Sequence, residues 1–147
     1  GYRVTVTSDF HSNIENIWDK IQDVNTLREI CKPKASFIAC DDSPIQWKEG
    51  KTFVFKMYLH GFLPVGMHTI NVVKMDKTSR EIDTKEYDNT VVIWNHYIKM
   101  KEISQQVTRY TDTVDLYAGC LTSIAAWWTL KFYKHRQRKW QKIAKSL

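Results

Sequence analysis

Three absences bound this chain before its patterns are read. No apolar run approaches the ~18 residues a membrane-spanning helix needs, and Gly1 to Ser8 alternate apolar with polar residues rather than forming the apolar block of a signal peptide. A soluble, cytoplasmic protein is predicted. Cysteine is scarce: Cys31, Cys40 and Cys120 stand far apart with no C-x-x-C pair, so neither a disulfide framework nor a zinc site is signalled, and a reducing compartment fits. Catalytic signatures are missing too. There is no H-E-x-x-H, no nucleophile motif, no internal repeat, no low-complexity tract and no linker, so residues 1–147 read as one domain.

What is present suits a core with material left for a pocket: 43% of the 147 residues are hydrophobic and 13% aromatic. The net charge of +6 is uneven. Lys131, Lys134, His135, Arg136, Arg138, Lys139, Lys142 and Lys145 crowd one C-terminal segment, so the excess describes one surface, and no nucleic-acid partner is expected from it.

That segment, Leu121 to Leu147, is the one stretch long and periodic enough for a helix of many turns. Gly119 breaks what precedes it and Thr122 or Ser123 is placed to cap it. Ile124, Ala125, Trp128, Phe132, Trp140, Ile143 and Leu147 form the predicted buried stripe, leaving Arg136 on the solvated face, or reaching the strand ends or clamping a carboxylate at the cavity mouth. Before it, Tyr2, Val4 and Val6 alternate as a first strand. Ser12-Asn13-Ile14-Glu15 reads as a capping box for a short helix through Ile21, and Asn25 as the cap of a second helix ended by Pro33. Strand-like runs follow at Ala35–Cys40, Thr52–Leu59, Met67–Met75, Arg80–Tyr87, Val91–Met100 and Val107–Ala118. A turn at Asp41–Pro44 and short hairpin connections separate them. The prediction is an α+β fold: a seven-stranded antiparallel sheet, two short helices after strand 1 and a long C-terminal helix.

Side chains two apart on a strand share a face. If the hairpin connections have odd parity, Thr84 and Glu86, Trp94 and His96, and Tyr110 and Asp112 all meet on the concave face beneath the helix. A carboxylate buried there must find a donor or take up a proton, and His96 beside Asp112 is the predicted answer. Three readings follow from the same residues. They form a structural network holding strands in register; they anchor a ligand in a mostly apolar pocket; or His96, Glu86 and Asp112 do acid–base chemistry with Tyr110 donating to an oxyanion. A metal at His68, His96, Glu86 and Asp112 is conceivable from ligand type, but no local spacing supports it, and no cofactor is expected. Phe55, Met57 and Phe62 read as core or pocket wall, and Trp128 rather than Trp127 as the tryptophan facing the cavity.

The order of elements resembles the helix-grip fold of the START-like (SRPBCC) superfamily, in which a curved antiparallel sheet grips a long C-terminal helix. The segments Arg80–Glu86, Trp94-Asn95-His96, Arg109–Asp112, Ala118–Thr122 and Phe132–Gln137 resemble a bacterial branch of uncharacterised ligand-binding members. The resemblance implies a cavity between sheet and helix, bounded by Trp128 and Phe132, for a small hydrophobic, aromatic or lipid-like molecule. Ligand contacts would come from Phe55, Met57, His68, Thr84, Glu86, Trp94, His96, Tyr110, Asp112, Trp128 and Phe132. It implies a binding or carrier protein, acting as a monomer or weak homodimer. A polyketide cyclase or dehydratase-type enzyme is the alternative, and an anionic-surface module using the basic helix is the third reading. The loop from His60 to Gly66 is also similar to the Gly-Leu-Pro gate of plant hormone receptors in this superfamily, with Phe62 departing from that pattern.

Overall fold

In the computed structural model, which describes residues 1–40 and 46–147, the chain runs through β1 (Tyr2–Phe10), α1 (Ile14–Ile21), α2 (Val24–Cys31), β2 (Ala35–Ala39), β3 (Thr52–Leu59), β4 (Leu63–Asp76), β5 (Glu81–Tyr87), β6 (Ile93–Ser104), β7 (Val107–Tyr117) and α3 (Thr122–Ala144). The turn expected at Asp41–Pro44 lies outside the described residues. The strands form one antiparallel sheet in the order β1-β7-β6-β5-β4-β3-β2. From β2 to β7 consecutive strands are neighbours, and β1 closes the far edge beside β7. The sheet curves around α3, which packs mainly on β1 with α2 and β7 also in contact. The helix-grip fold is present as predicted.

Local chemistry explains most boundaries, with several shifts from the expected ones. Asn13, not Ser12, caps α1: its Oδ1 accepts from the Asn16 N–H at 2.8 Å, while the Ser12 hydroxyl is buried without a partner. Glu15, the expected second half of the capping box, instead pairs with Arg80. Asp23 rather than Asn25 caps α2, accepting from the Asn25 N–H at 2.8 Å. Thr122 does not act as an N-cap. Its Oγ1 accepts from the Ala118 N–H at 3.0 Å and donates to the Gly119 carbonyl, bracing a short 3-10 turn over Gly119–Leu121 before α3 begins.

The expected gate loop is also corrected. Only His60, Gly61 and Phe62 form the β3–β4 turn, and Leu63 to Gly66 already belong to β4, paired with β3. Pro64 is tolerated there because this part of β4 has β3 on one side only and sits beside a bulge at Met57/Tyr58.

Register sets the inner wall. Ile82, Thr84 and Glu86 of β5 face Ile98, His96 and Trp94 of β6, and Trp94, His96, Ile98 and Met100 face Leu116, Val114, Asp112 and Tyr110 of β7. The β6–β7 turn has only two residues, 105 and 106, but a bulge between Glu102 and Ser104 restores the parity that puts these residues on one face.

The helix fills this wall along a different stripe from the predicted one. Ala126, Thr129, Phe132, Tyr133, Arg136, Gln137, Trp140 and Ala144 are buried, whereas Ile124 is 67% exposed and Leu147 is also exposed. At ~100° per residue the true face is rotated by about a quarter turn from the apolar stripe. Arg136, expected on the solvated face or at the cavity mouth, is buried.

Candidate functional site

Between the concave face and α3 lies a cavity whose volume, taken as the room open to the centre of a water molecule, is about 70 Å³. That is space for several waters, since one needs roughly 10–15 Å³ by this measure. The aromatic walls are Phe37, Trp47, Trp94, Phe132, Tyr133 and Trp140, joined by Ile30 and Leu27 of α2 and by Met57, Ile70, Val72, Ile82 and Ile98 of the sheet. Thr84, Glu86, His68, His96, Tyr110 and Arg136 supply its polar surface.

The polar groups of the sheet form one connected chain. Asp88 sits in the turn after β5, where its Oδ1 accepts from the N–H groups of Thr90 and Val91 at 2.9 and 2.8 Å and its Oδ2 lies 3.0 Å from His68 Nδ1. The other nitrogen of that ring, Nε2, is 2.8 Å from Glu86 Oε1. Glu86 Oε2 accepts from the Thr84 hydroxyl at 2.6 Å and lies 3.7 Å from His96 Nδ1. His96 Nε2 is 2.6 Å from Asp112 Oδ1, and the Gln137 amide donates to Asp112 Oδ2 at 3.0 Å and to the Val6 carbonyl at 2.7 Å. Tyr133 covers His96, with its hydroxyl 3.5 Å from Nδ1, and accepts from the Trp94 indole N–H at 3.3 Å.

Alternation of carboxylate and imidazole sets the protonation. Burial works against a charged His68, but its hydrogen bonds to Asp88 and Glu86 outweigh it and hold its pKa at about 9. His96 is raised in the same way, burial being overcome by Asp112 and Glu86. Glu86 moves oppositely: burial favours its neutral form, yet the two imidazoles hold it well below the usual carboxylate range. His68 is therefore imidazolium at neutral pH and donates from both nitrogens, and His96 is shifted in the same direction.

The expected site residues fall into three groups. Met57, His68, Thr84, Glu86, Trp94, His96, Tyr110 and Phe132 line the cavity. Asp112 lies on the same face but is taken up by His96 and Gln137. Phe55 and Trp128 are not part of the wall. Phe55 packs edge-on against Phe37 and Trp47, and Trp128 stacks on the outer side of Phe132 at 4.6 Å because α3 is rotated from its apolar stripe. Tyr110 does not join the His96 network; it stacks on Phe10 at 4.8 Å, and its hydroxyl has no partner. Sequence reasoning missed Asp88, Tyr133 and Gln137, and placed Arg136 on the solvated face or at the cavity mouth rather than inside. Asp88 was signalled by its even spacing from Glu86 and by the turn-forming Asp88-Asn89-Thr90, whereas Tyr133, Gln137 and the inward position of Arg136 needed the phase of α3. The four groups conceivable as metal ligands turn their donor atoms toward one another along the chain. Among the described residues no cluster of three or more His, Cys, Asp or Glu side chains is placed to hold a metal ion.

No protein-family model matches the chain, and no curated protein matches it in sequence. Solved structures match its shape. A START superfamily protein from Mycobacterium smegmatis superposes with a TM-score of 0.70 at 12% identity, covering 99% of both chains. A protein from Thermus thermophilus gives 0.73 at 9% identity over 99% of this chain and 98% of that one. A hypothetical protein from Helicobacter pylori gives 0.75 at 9% identity over 97% and 88%. The chain has the START-like fold.

Proposed function

We propose that this protein binds a small, predominantly apolar molecule in the cavity between the sheet and α3, as a binding or carrier module. The observation that carries the reading is the cavity itself, about 70 Å³ walled by six aromatic side chains with a few fixed polar groups on one side. Ligand pockets generally have this composition. Conformational rigidity in the polar chain favours binding over turnover: each oxygen of Glu86 and Asp112 already has a hydrogen-bond partner.

Trp47, Trp94 and Trp140 line the cavity, so occupancy changes their surroundings and hence the emission of the protein. Titration with a library of small aromatic and aliphatic compounds is expected to give saturable changes in tryptophan emission together with a rise in melting temperature. A library that produces neither contradicts the reading.

An acid–base enzyme of the cyclase type is the second reading, favoured by the presence of both Glu86 and His96 in the cavity wall. It requires that a bound substrate displace one of their present hydrogen-bond partners. Turnover abolished by His96→Ala, with ligand affinity kept, would support it.

A further inference from the structure

Three hydrogen-bond donors in the cavity wall have no well-aligned acceptor among the described residues. The Arg136 side chain is 7% exposed, its Nε has no partner, and the guanidinium makes no hydrogen bond or ion pair with any described residue. The Tyr110 hydroxyl and the Trp140 indole N–H are buried as well and have no well-aligned hydrogen-bond partner among the described residues, although the indole N–H bears on the Tyr110 oxygen. The three sit together. Arg136 and Trp140 are one turn apart on the same face of α3, the Tyr110 and Trp140 rings are 5.8 Å apart, and the charge of Arg136 acts on the Tyr110 hydroxyl.

Among the described residues no carboxylate answers them. Glu86 is engaged by His68 and Thr84, Asp112 by His96 and Gln137, and Asp88 by His68 and its own turn. Arg136 rests its guanidinium on the Tyr133 ring at 4.5 Å, which offers a π face but no lone pair. A buried donor without an acceptor costs about 1–3 kcal/mol, and a charged one more.

The donors keep their protons. Burial opposes the charge on Arg136, but Tyr133, Cys31 and Asp112 favour it and leave its pKa above the ordinary arginine value. Burial raises the Tyr110 hydroxyl well above the usual phenol range.

Resting on the binding reading above, we infer that the ligand is an organic acid whose carboxylate is held by Arg136, Tyr110 and Trp140 while its apolar or aromatic body lies along the aromatic walls. A carboxylate is an acceptor-only group with two oxygens and several lone pairs, which suits a planar guanidinium flanked by two further donors.

The test compares isosteric acid and amide pairs by isothermal titration calorimetry at pH 7: phenylacetate against phenylacetamide, and octanoate against octanamide. Wild-type protein is expected to bind at least one acid about tenfold or more tightly than its amide, the size of a charge-assisted hydrogen bond. R136M should abolish that preference and Y110F should reduce it, whereas R138M, an exposed arginine two residues on, should leave it unchanged. Melting curves of each variant report folding. If R136M does not fold, the wild-type pair and Y110F still decide.

Equal affinity for acid and amide, or a preference that survives R136M, overturns the inference, leaves the donors to ordered water, and leaves cavity binding standing. Failure of all four compounds to bind overturns the inference, and cavity binding falls separately only if the wider library also fails.

Discussion

At the scale of single residues, the polar chain from Asp88 through His68, Glu86 and His96 to Asp112 makes folding depend on pH. His68 titrates near 9 in the folded protein against about 6.5 when unfolded. The folded state therefore holds more protons between those values, and stability falls as pH rises through that window. Below pH 6.5 the full contribution is present. The difference corresponds to about 3 kcal/mol, shared with His96, whose shift has the same sign. Glu86 acts oppositely: its contribution is complete above the usual carboxylate range and is lost as pH falls below it. Chemical denaturation across pH 5 to 9.5 should show maximal stability near pH 5–6.5 and a decline above it. His68→Gln should be less stable at pH 6 and show a shallower decline toward pH 9. A wild-type curve flat across this range would contradict the assigned protonation.

At the scale of elements, α3 carries the largest correction. Its apolar residues mark one stripe, but the buried face includes Arg136, Gln137 and Thr129, because Gln137 finds Asp112 and the Val6 carbonyl as acceptors and holds the helix in that phase. Gln137→Ala takes the amide donor from Asp112 Oδ2 and the Val6 carbonyl and is expected to cost about 2–4 kcal/mol in unfolding free energy. Ile124→Ala, on the exposed side, should cost less than about 0.5 kcal/mol. Apolar patterning alone ranks the two in reverse, so denaturation midpoints of this pair test the phase directly. The strands were more legible than the helix. Alternation with period two, together with loop parity, placed Thr84, Glu86, His96, Tyr110 and Asp112 on one face, as the register of β5, β6 and β7 bears out. It could not reveal that Tyr110 would turn away from His96 and pair with Trp140 of α3. That pairing depends on the rotation of a helix whose polar residues look solvent-directed by composition. Caps were misplaced by one or two residues for a similar reason, since Ser12 and Asn13, like Asp23 and Asn25, are chemically equivalent as caps until the backbone chooses.

At the scale of the whole molecule, the order of elements was sufficient to predict the helix grip, and structures at 9–13% identity share it, so this fold is specified by pattern far more than by particular residues. The proposed function lies in what the grip encloses. No helix among the described residues is long and apolar enough to cross a membrane, and the exposed basic residues Lys131, Lys134, Arg138, Lys142 and Lys145 occupy the side of α3 turned away from the cavity. The interior, with its aromatic walls and unanswered donors, is the more specific feature.

The most direct measurement is native mass spectrometry of the freshly purified protein, followed by extraction and identification of what it carries. The account predicts a stoichiometric small molecule with an apolar body and an acidic group, lost on denaturation and depleted in the R136M protein. A mass equal to that of the bare chain, with no shift when the protein is incubated with small aromatic or aliphatic acids, would contradict it and make the cavity a water-filled flaw in a structural core.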